Sequence, residues 1–393
     1  MDSSHYKPNV SIVGAGTMGT GIAQVAAQNG YQVKVYDIDT DVLAVAKEKL
    51  RRSYIRLVQK GKLDQATADT VLKRITLTNK IESLVNSDFV IEAVVENIEV
   101  KKRLFFELEA NLPKSAVITT NTSSLSVTSI ASVCRNPERV VGTHFFNPAP
   151  LMPLVEIVPA IQTRPSTVQK AKELMDDWNK VSVIAKDTPG FIVNRVARPF
   201  YGEALRLYEE GFADFPTIDW AMKEFGGFRM GPFELMDLIG NDINYTVTET
   251  VFEQFYYEPR FRPSFFQKRI VEANRLGKKN GLGFYSYKEG AQNPEPDKDR
   301  DKGEYIFDRI LYMLINEAAD ALFMGIASKE DIDLAMTKGV NYPKGLLKWA
   351  DEIGIENVIE GIKVLSEDYG EDRYRVNPLL KKMRREKSKF YEG

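Results

Sequence analysis

Two groupings of residues in this chain have the types and spacing to do chemistry. His144, in the run T-H-F-F-N-P, is one of only two histidines, and the other, His5, lies in a polar N-terminal tail. An imidazole with a reference pKa near about 6.5 can accept the proton of an alcohol while hydride leaves the same carbon. A carboxylate beside it would orient the ring and stabilise the imidazolium. Glu156, in the apolar run from Leu154 to Ile157, is the nearest candidate in sequence. A histidine at a strand end is also often purely structural, so this pair alone leaves both readings open. The second grouping is G-A-G-T-M-G, with Gly14, Gly16, Thr17, Met18 and Gly19. Between a strand and a helix, Gly14 permits the tight turn, Gly16 lets a diphosphate approach the backbone, and Gly19 lets helix and sheet close together. The helix start then offers N–H groups and a positive dipole end to phosphates. Asp37 follows Gly19 by 18 positions. There it would accept hydrogen bonds from ribose hydroxyls and repel a 2′-phosphate, which favours NAD over NADP.

The elements that must position these residues follow from the apolar pattern. Val10 to Val13 is a compact strand, and the helix after the glycines runs through Ile22, Val25 and Ala26 to Gly30. Gln32 to Tyr36 reads as the second strand. Further strands are expected at Phe89 to Ala93, Ala116 to Thr119, Val140 to Thr143, Leu154 to Ile157 and Ser182 to Ile184. Strands alternating with helical patterns predict βαβ units and a parallel sheet. A long helical stretch from Val42 to Lys60 exceeds the short connection of a simple Rossmann unit. It is crowded with Lys47, Lys49, Arg51, Arg52, Arg56 and Lys60, and contains Ser53.

From Pro189 the strand signals stop and helices follow, punctuated at Gly226-Gly227, Gly231-Pro232 and Gly240. Residues 288 to 303 are polar and charged, as a solvated linker would be. The helical segment after them repeats the one before. A shift of 114 positions brings Arg195 onto Arg309, Glu203-Ala204 onto Glu317-Ala318, Ile218-Asp219 onto Ile332-Asp333, and Gly240 onto Gly354. An unbroken register of this length predicts two copies of one unit. The expected organisation is a Rossmann-like α/β domain over 1–186, a first all-α copy over 187–287, a linker over 288–303, and a second copy over 304–393.

Composition bounds the functional classes. With 53 Lys and Arg against 55 Asp and Glu, the net charge of -2 gives no general attraction to nucleic acid or anionic membranes. No apolar run approaches the roughly 20 residues of a membrane span, and the first residues carry no apolar signal segment. The single cysteine, Cys134, suits a reducing compartment, so a cytoplasmic location is expected. No metal site is expected.

The motifs GAGTMGTGIA, IEAVVEN, NTSSL, THFFNP, LVEI and DTPGFIVNR occur in that order within residues 9 to 287. Together they closely resemble the 3-hydroxyacyl-CoA dehydrogenase family. The resemblance implies a Rossmann-like NAD-binding domain, a helical C-terminal domain and an active site in the cleft between them. It implies NAD-dependent oxidation of a 3-hydroxyacyl-CoA, with short-chain substrates such as 3-hydroxybutyryl-CoA or acetoacetyl-CoA. It assigns His144 as general base and Glu156 as its charged partner, with Ser123 and Asn194 binding the oxygens of the substrate. Glu96, Lys101 and Lys279 match cofactor-contacting positions, while Ser53 and Lys60 match contacts to CoA. The basic helix would thus serve the CoA phosphates, although a solvated face remains open. The expected partner is the acyl-CoA substrate, and the chain would be a monomer through its paired helical copies, or a homodimer. Two rivals stand beside this reading: a dehydrogenase of a free hydroxy acid, and a nucleotide-binding protein without catalysis. The four residues Ser123, His144, Glu156 and Asn194, all present, argue against the second.

Overall fold

The computed structural model describes residues 7 to 391, so His5 lies outside the described residues. The chain divides into two compact units, Met1–Thr188 and Pro189–Gly393.

The first unit is an eight-stranded sheet. Its strands are β1 (Val10–Val13), β2 (Val33–Tyr36), β3 (Ile75–Thr78), β4 (Phe89–Glu92), β5 (Val117–Thr120), β6 (Val140–Phe145), β7 (Leu154–Pro159) and β8 (Val181–Ile184). They lie in the order β3-β2-β1-β4-β5-β6-β7-β8. Strands β3 through β6 in that order are mutually parallel, as expected. The expected parallel sheet runs through β6; β7 then runs antiparallel to β6, with β8 parallel to β7. The connection from Phe146 to Pro153 contains no helix and is shorter than the dozen or more residues a parallel crossover requires. The chain must therefore turn back. The sequence reading also missed β3. Its residues, I-T-L-T, are half polar and mostly half-exposed at the sheet edge, so no apolar run marks them.

The unit's helices are α1 (Thr17–Gln28), α2 (Thr40–Gln59), α3 (Gln65–Lys73), α4 (Ile98–Asn111), α5 (Val127–Ala131) and α6 (Pro165–Asp177). Asp39 caps α2 by accepting from the Asp41 and Val42 amides, and Asp64 caps α3 from Thr67. The basic stretch is thus the first arm of a helical hairpin inserted between β2 and β3. One core joins Ile22, Ala23 and Ala26 of α1 to Ile12, Val35 and Ile91 of the sheet and to Ala171, Leu174 and Met175 of α6.

The second unit is helical: α7 (Val193–Val196), α8 (Arg198–Glu209), α9 (Phe215–Gly226), α10 (Pro232–Ile239), α11 (Asn241–Gln254), α12 (Phe265–Glu272), α13 (Arg300–Phe323), α14 (Lys329–Gly339), α15 (Leu346–Ile353), α16 (Ile355–Tyr369) and α17 (Pro378–Glu386). Helix α13 begins at Arg300, capped by Asp299, inside the segment expected as linker. That segment is also tied down earlier, through Asn293 to Ser286 and the Asp297 amide to Thr217. Hydrogen bonds recur at the sequence repeat. Asp219 accepts from the amides of Phe233 (2.9 Å) and Glu234 (3.0 Å), and Asp333 from those of Leu347 (2.8 Å) and Lys348 (3.0 Å). Asp237 accepts from the Phe284 and Tyr285 amides, and Asp351 from those of Phe390 and Tyr391. Among the described residues, no helix is long and apolar enough to cross a membrane.

Candidate active site

The reversal at β7 brings the candidate acid–base residues together. In the antiparallel register His144 stands directly opposite Glu156, and such cross-strand neighbours have Cβ atoms only about 4.5–5.5 Å apart. His144 Nδ1 lies 2.7 Å from Glu156 Oε2. The Glu156 side chain is wholly buried and that of His144 is 8% exposed. Phe146 packs its ring against the imidazole at 4.5 Å between centroids. The turn between the two strands is held by Lys180, which sequence reasoning did not single out. Its buried Nζ donates to the carbonyls of Ala149 (2.6 Å) and Met152 (2.8 Å). Burial pushes its pKa below the usual lysine range.

Ser123 sits on the loop after β5, and that loop is fixed from two sides. Asn121 Oδ1 accepts from the Phe145 amide at 2.8 Å, next to His144 in sequence. Glu96 Oε1 accepts from Thr122 Oγ1 (2.5 Å) and from the amide of Ser123 (2.9 Å). Lys101 Nζ lies 3.3 Å from Glu96 Oε2 and 2.6 Å from Glu92 Oε1. Burial alone would raise the Glu96 pKa, but Lys101 and the donors Thr122 and Ser123 outweigh it and hold it below the usual carboxylate range. Lys101 is 1% exposed, so it is a buried cation shared between two carboxylates and not a surface charge. Glu92, missed in the sequence reading, is fully buried at the end of β4 and also accepts from Thr120 Oγ1 at 2.6 Å. The available signal was an acidic residue closing the apolar strand F-V-I-E. A charge there needs a partner from a neighbouring element.

The glycine turn has the geometry of a dinucleotide cradle. Gly14 has φ +103°, and a Cβ there would meet the Ala93 carbonyl oxygen at 2.6 Å. A Cβ on Gly19 would sit 1.8 Å from the Gly14 oxygen, which is the close strand–helix approach this position requires. Above Gly16 no atom lies within 4 Å of a built Cβ. Gly16 is also the N-cap of α1 and supplies no capping side chain, so the first amides of the helix are left for a ligand. Thr17 is exposed and Met18 half-buried against the core. Asp37 closes β2 beside this turn, its Oδ2 accepting from the Ala15 amide at 2.8 Å. These residues fit NAD: a diphosphate on the helix start, with a carboxylate at the adjacent strand end for a ribose.

On α2, Ser53 is half-buried and Lys60 is the exposed C-cap residue. Arg51 and Arg52 both bind Glu48, which their hydrogen bonds hold down to a pKa of about 2. Lys49 Nζ donates to Thr17 Oγ1 at 3.1 Å, linking the basic helix to the glycine turn. In the second unit, Asn194 is the one residue from Gly190 to Tyr201 that is not buried. Lys279 pairs with Asp242 at 2.5 Å.

Comparison with known proteins matches this arrangement. Residues 9–188 match the family model described as 3-hydroxyacyl-CoA dehydrogenase, NAD binding domain. Residues 190–287 and 305–390 match the one described as 3-hydroxyacyl-CoA dehydrogenase, C-terminal domain. A 3-hydroxyadipyl-CoA dehydrogenase of Escherichia coli strain K12 is 38% identical, over 95% of this chain and 96% of its own. The human mitochondrial hydroxyacyl-coenzyme A dehydrogenase is 40% identical over 71% of this chain and 91% of its own. The crystal structure of a 3-hydroxybutyryl-CoA dehydrogenase from Escherichia coli K12 has a TM-score of 0.89 at 38% identity, covering 96% of this chain and 98% of that one. With its buried His–Glu pair and its dinucleotide turn, the chain belongs to the 3-hydroxyacyl-CoA dehydrogenase family, NAD-dependent oxidoreductases acting on a CH–OH group.

Proposed function

We propose that the substrate is a short-chain (S)-3-hydroxyacyl-CoA, oxidised to the 3-keto thioester and reduced back by the same residues. The observation that carries the chemistry is the 2.7 Å contact between His144 Nδ1 and Glu156. Glu156 fixes the tautomer with the proton on Nδ1, which leaves Nε2 to take the substrate hydroxyl proton. As the proton arrives, the buried carboxylate stabilises the imidazolium. Bound NAD supplies the acceptor for the hydride that leaves C3. Ser123 and Asn194 hold the hydroxyl and thioester oxygens; the Glu96 hydrogen bond supports Ser123 in that role, and the FIVNR motif supports Asn194. Glu96, Lys101 and Lys279 serve the cofactor, with buried Lys101 acting by holding Glu96 in place. Ser53 and Lys60 bind the CoA handle. Lone Cys134 suits a reducing compartment, which we take to be the cytoplasm.

The test is His144→Ala against acetoacetyl-CoA. Loss of a general acid or base costs about 10²- to 10⁴-fold in turnover, while NADH binding, read by fluorescence, should stay near the wild-type value. A folded variant with near-normal turnover would overturn the assignment.

We further propose that residues 187–287 and 304–393 are two copies of one helical unit, related by a pseudo-twofold axis. The recurring Asp219/Asp333 and Asp237/Asp351 hydrogen bonds support this. The second copy stabilises the first and carries no catalytic group, since Asp308 stands where Asn194 stands. The whole chain then has its partner built in and can be a monomer.

A further inference from the structure

The dinucleotide turn has an acidic neighbour and no cation of its own. Helix α1, T-M-G-T-G-I-A-Q-V-A-A-Q, contains no charged side chain. Asp37 stands at the turn, its carboxylate accepting from the Ala15 and Asp39 amides. Buried Lys101 is committed to Glu92 and Glu96. A diphosphate adds further negative charge at the start of α1, where the helix dipole supplies the equivalent of only about half a positive charge. Among the described residues, one cation is hydrogen-bonded to the stretch from Gly14 to Gly19. It is Lys49 of α2, whose Nζ donates to Thr17 Oγ1 at 3.1 Å. Thr17 is the first residue of α1, so the ammonium stands at the helix end that receives the diphosphate.

Lys49 differs from the arginines beside it on α2. Arg51 and Arg52 are taken up by Glu48, whereas no carboxylate of the described residues forms an ion pair with Lys49. Its bond to Thr17 uses one of the three donors of an ammonium, and the acceptor is a neutral hydroxyl, so the charge is left uncompensated. Lys49 and Thr17 are both exposed, within reach of a ligand. Onward from Lys49, spacings of four, three and four lead to Ser53, Arg56 and Lys60, the steps that keep to one helix face. Lys49 and Lys60 end this stripe, about 16 Å apart along the helix at a rise of 1.5 Å per residue. The Lys49 end is the one tied to the glycine turn.

We propose that Lys49 binds the diphosphate of NAD, so that one stripe of the inserted hairpin serves both ligands of the reaction, the cofactor at Lys49 and the CoA handle at Lys60. A charge-assisted bond from the ammonium to a phosphate oxygen is stronger than its present one to a neutral hydroxyl. The cofactor half stands on the NAD-binding domain and is independent of the thioester reading; the division of the stripe rests on Lys60 as a CoA contact.

The experiment measures Kd without any thioester present. NADH is read by fluorescence, and two competitors by its displacement: ADP-ribose, which keeps the diphosphate, and adenosine, which lacks it. Lys49→Ala should weaken NADH and ADP-ribose by about three- to tenfold, the lower part of the range for a bond to a charged group because the site is open to water. Adenosine should bind as it does to the wild type. Lys49→Arg should keep most of the affinity, and the loss in Lys49→Ala should shrink with added salt. KM for acetoacetyl-CoA at saturating NADH should stay at the wild-type value. Unchanged Kd values for NADH and ADP-ribose in Lys49→Ala overturn the proposal, and a raised KM for acetoacetyl-CoA beside them would give the ammonium to the CoA phosphates instead. Equal weakening of adenosine and ADP-ribose also overturns it, since a disturbed glycine turn would do the same. If the wild type binds NADH but does not turn over acetoacetyl-CoA, the thioester reading fails, while the Kd comparison still decides on Lys49.

Discussion

Arg195 Nε donates to Glu317 Oε1 at 2.7 Å, across 122 positions of chain. The partnership is exchanged at the repeat: Arg309 Nε donates to Glu203 Oε2 at 3.1 Å. Arginine and glutamate of one segment thus meet glutamate and arginine of the other. Such reciprocity is what a twofold interface produces, in which residue i of one half meets j of the other and j meets i. All four side chains are buried, so each pair depends on the other segment to satisfy its charge.

Truncation near residue 290 should therefore strip the first segment of its partner. It would leave Arg195 without Glu317 and Asp320, take Arg309 away from Glu203 while Arg206 stays, and uncover the faces of α8 and α9 that pack on α13. The expected outcome by light scattering is dimerisation or aggregation. Asp308→Asn, in contrast, should leave kcat unchanged. A truncated protein that stays monomeric, stable and fully active would sink this role for the second segment.

Cofactor choice should turn on Asp37 and its neighbour. Ile38 is 83% exposed at the same strand end. Asp37→Asn removes the charge while leaving an oxygen for the Ala15 amide, and Ile38→Arg adds a cation for a 2′-phosphate. The double variant should raise the NADP-to-NAD ratio of kcat/KM by about tenfold, equivalent to roughly 1.4 kcal/mol. Steady-state kinetics with both cofactors checks this, and a wild type that already prefers NADPH contradicts it.

Lys60→Ala should raise KM for acetoacetyl-CoA more than for a truncated acetoacetyl-pantetheine, and the difference should shrink with added salt, as screened charges do. Arg51→Ala and Arg52→Ala should do less, because Glu48 already holds both guanidinium groups. Equal effects on the two thioesters would mark α2 as a solvated face.

Lys101→Met should be among the most destabilising single changes in the first unit. It leaves Glu92, fully buried, without its cation, and breaking such a pair costs about 3–5 kcal/mol. Urea unfolding measures it. The pH dependence has a defined sign. The Glu96 pKa is depressed by Lys101 and by its hydrogen-bond donors against the opposing effect of burial. Its contribution is complete above the unfolded carboxylate value of about 4.3 and is lost as pH falls through the folded one. The gap between wild type and variant should be widest near neutrality and narrow in acid. A constant gap from pH 7 to pH 3 would show that the charge of Glu96 plays no part in it.

Much of this protein is local, and what is local was legible in the sequence. The glycine turn at Gly14, Gly16 and Gly19 and its adjoining strands follow from steric demands within a few residues. The segment repeat is visible because the same hydrogen-bonding aspartates and helix-ending glycines recur in register. His144 and Glu156 stood out as residue types, but their contact was decided by β7 turning back on β6, which sets them at one register position. Strand β3 escaped notice because an edge strand needs no apolar run. Lys101 and Arg198 show the limit most clearly. Each is one basic residue in a helical stretch, and neither its type nor its spacing says whether it meets water, a carboxylate or nothing. The charge environment of a side chain is set by the elements that fold against it: for Lys101 they bring Glu92 and Glu96, and for Arg198 the Asn194 carbonyl and the Thr248 hydroxyl.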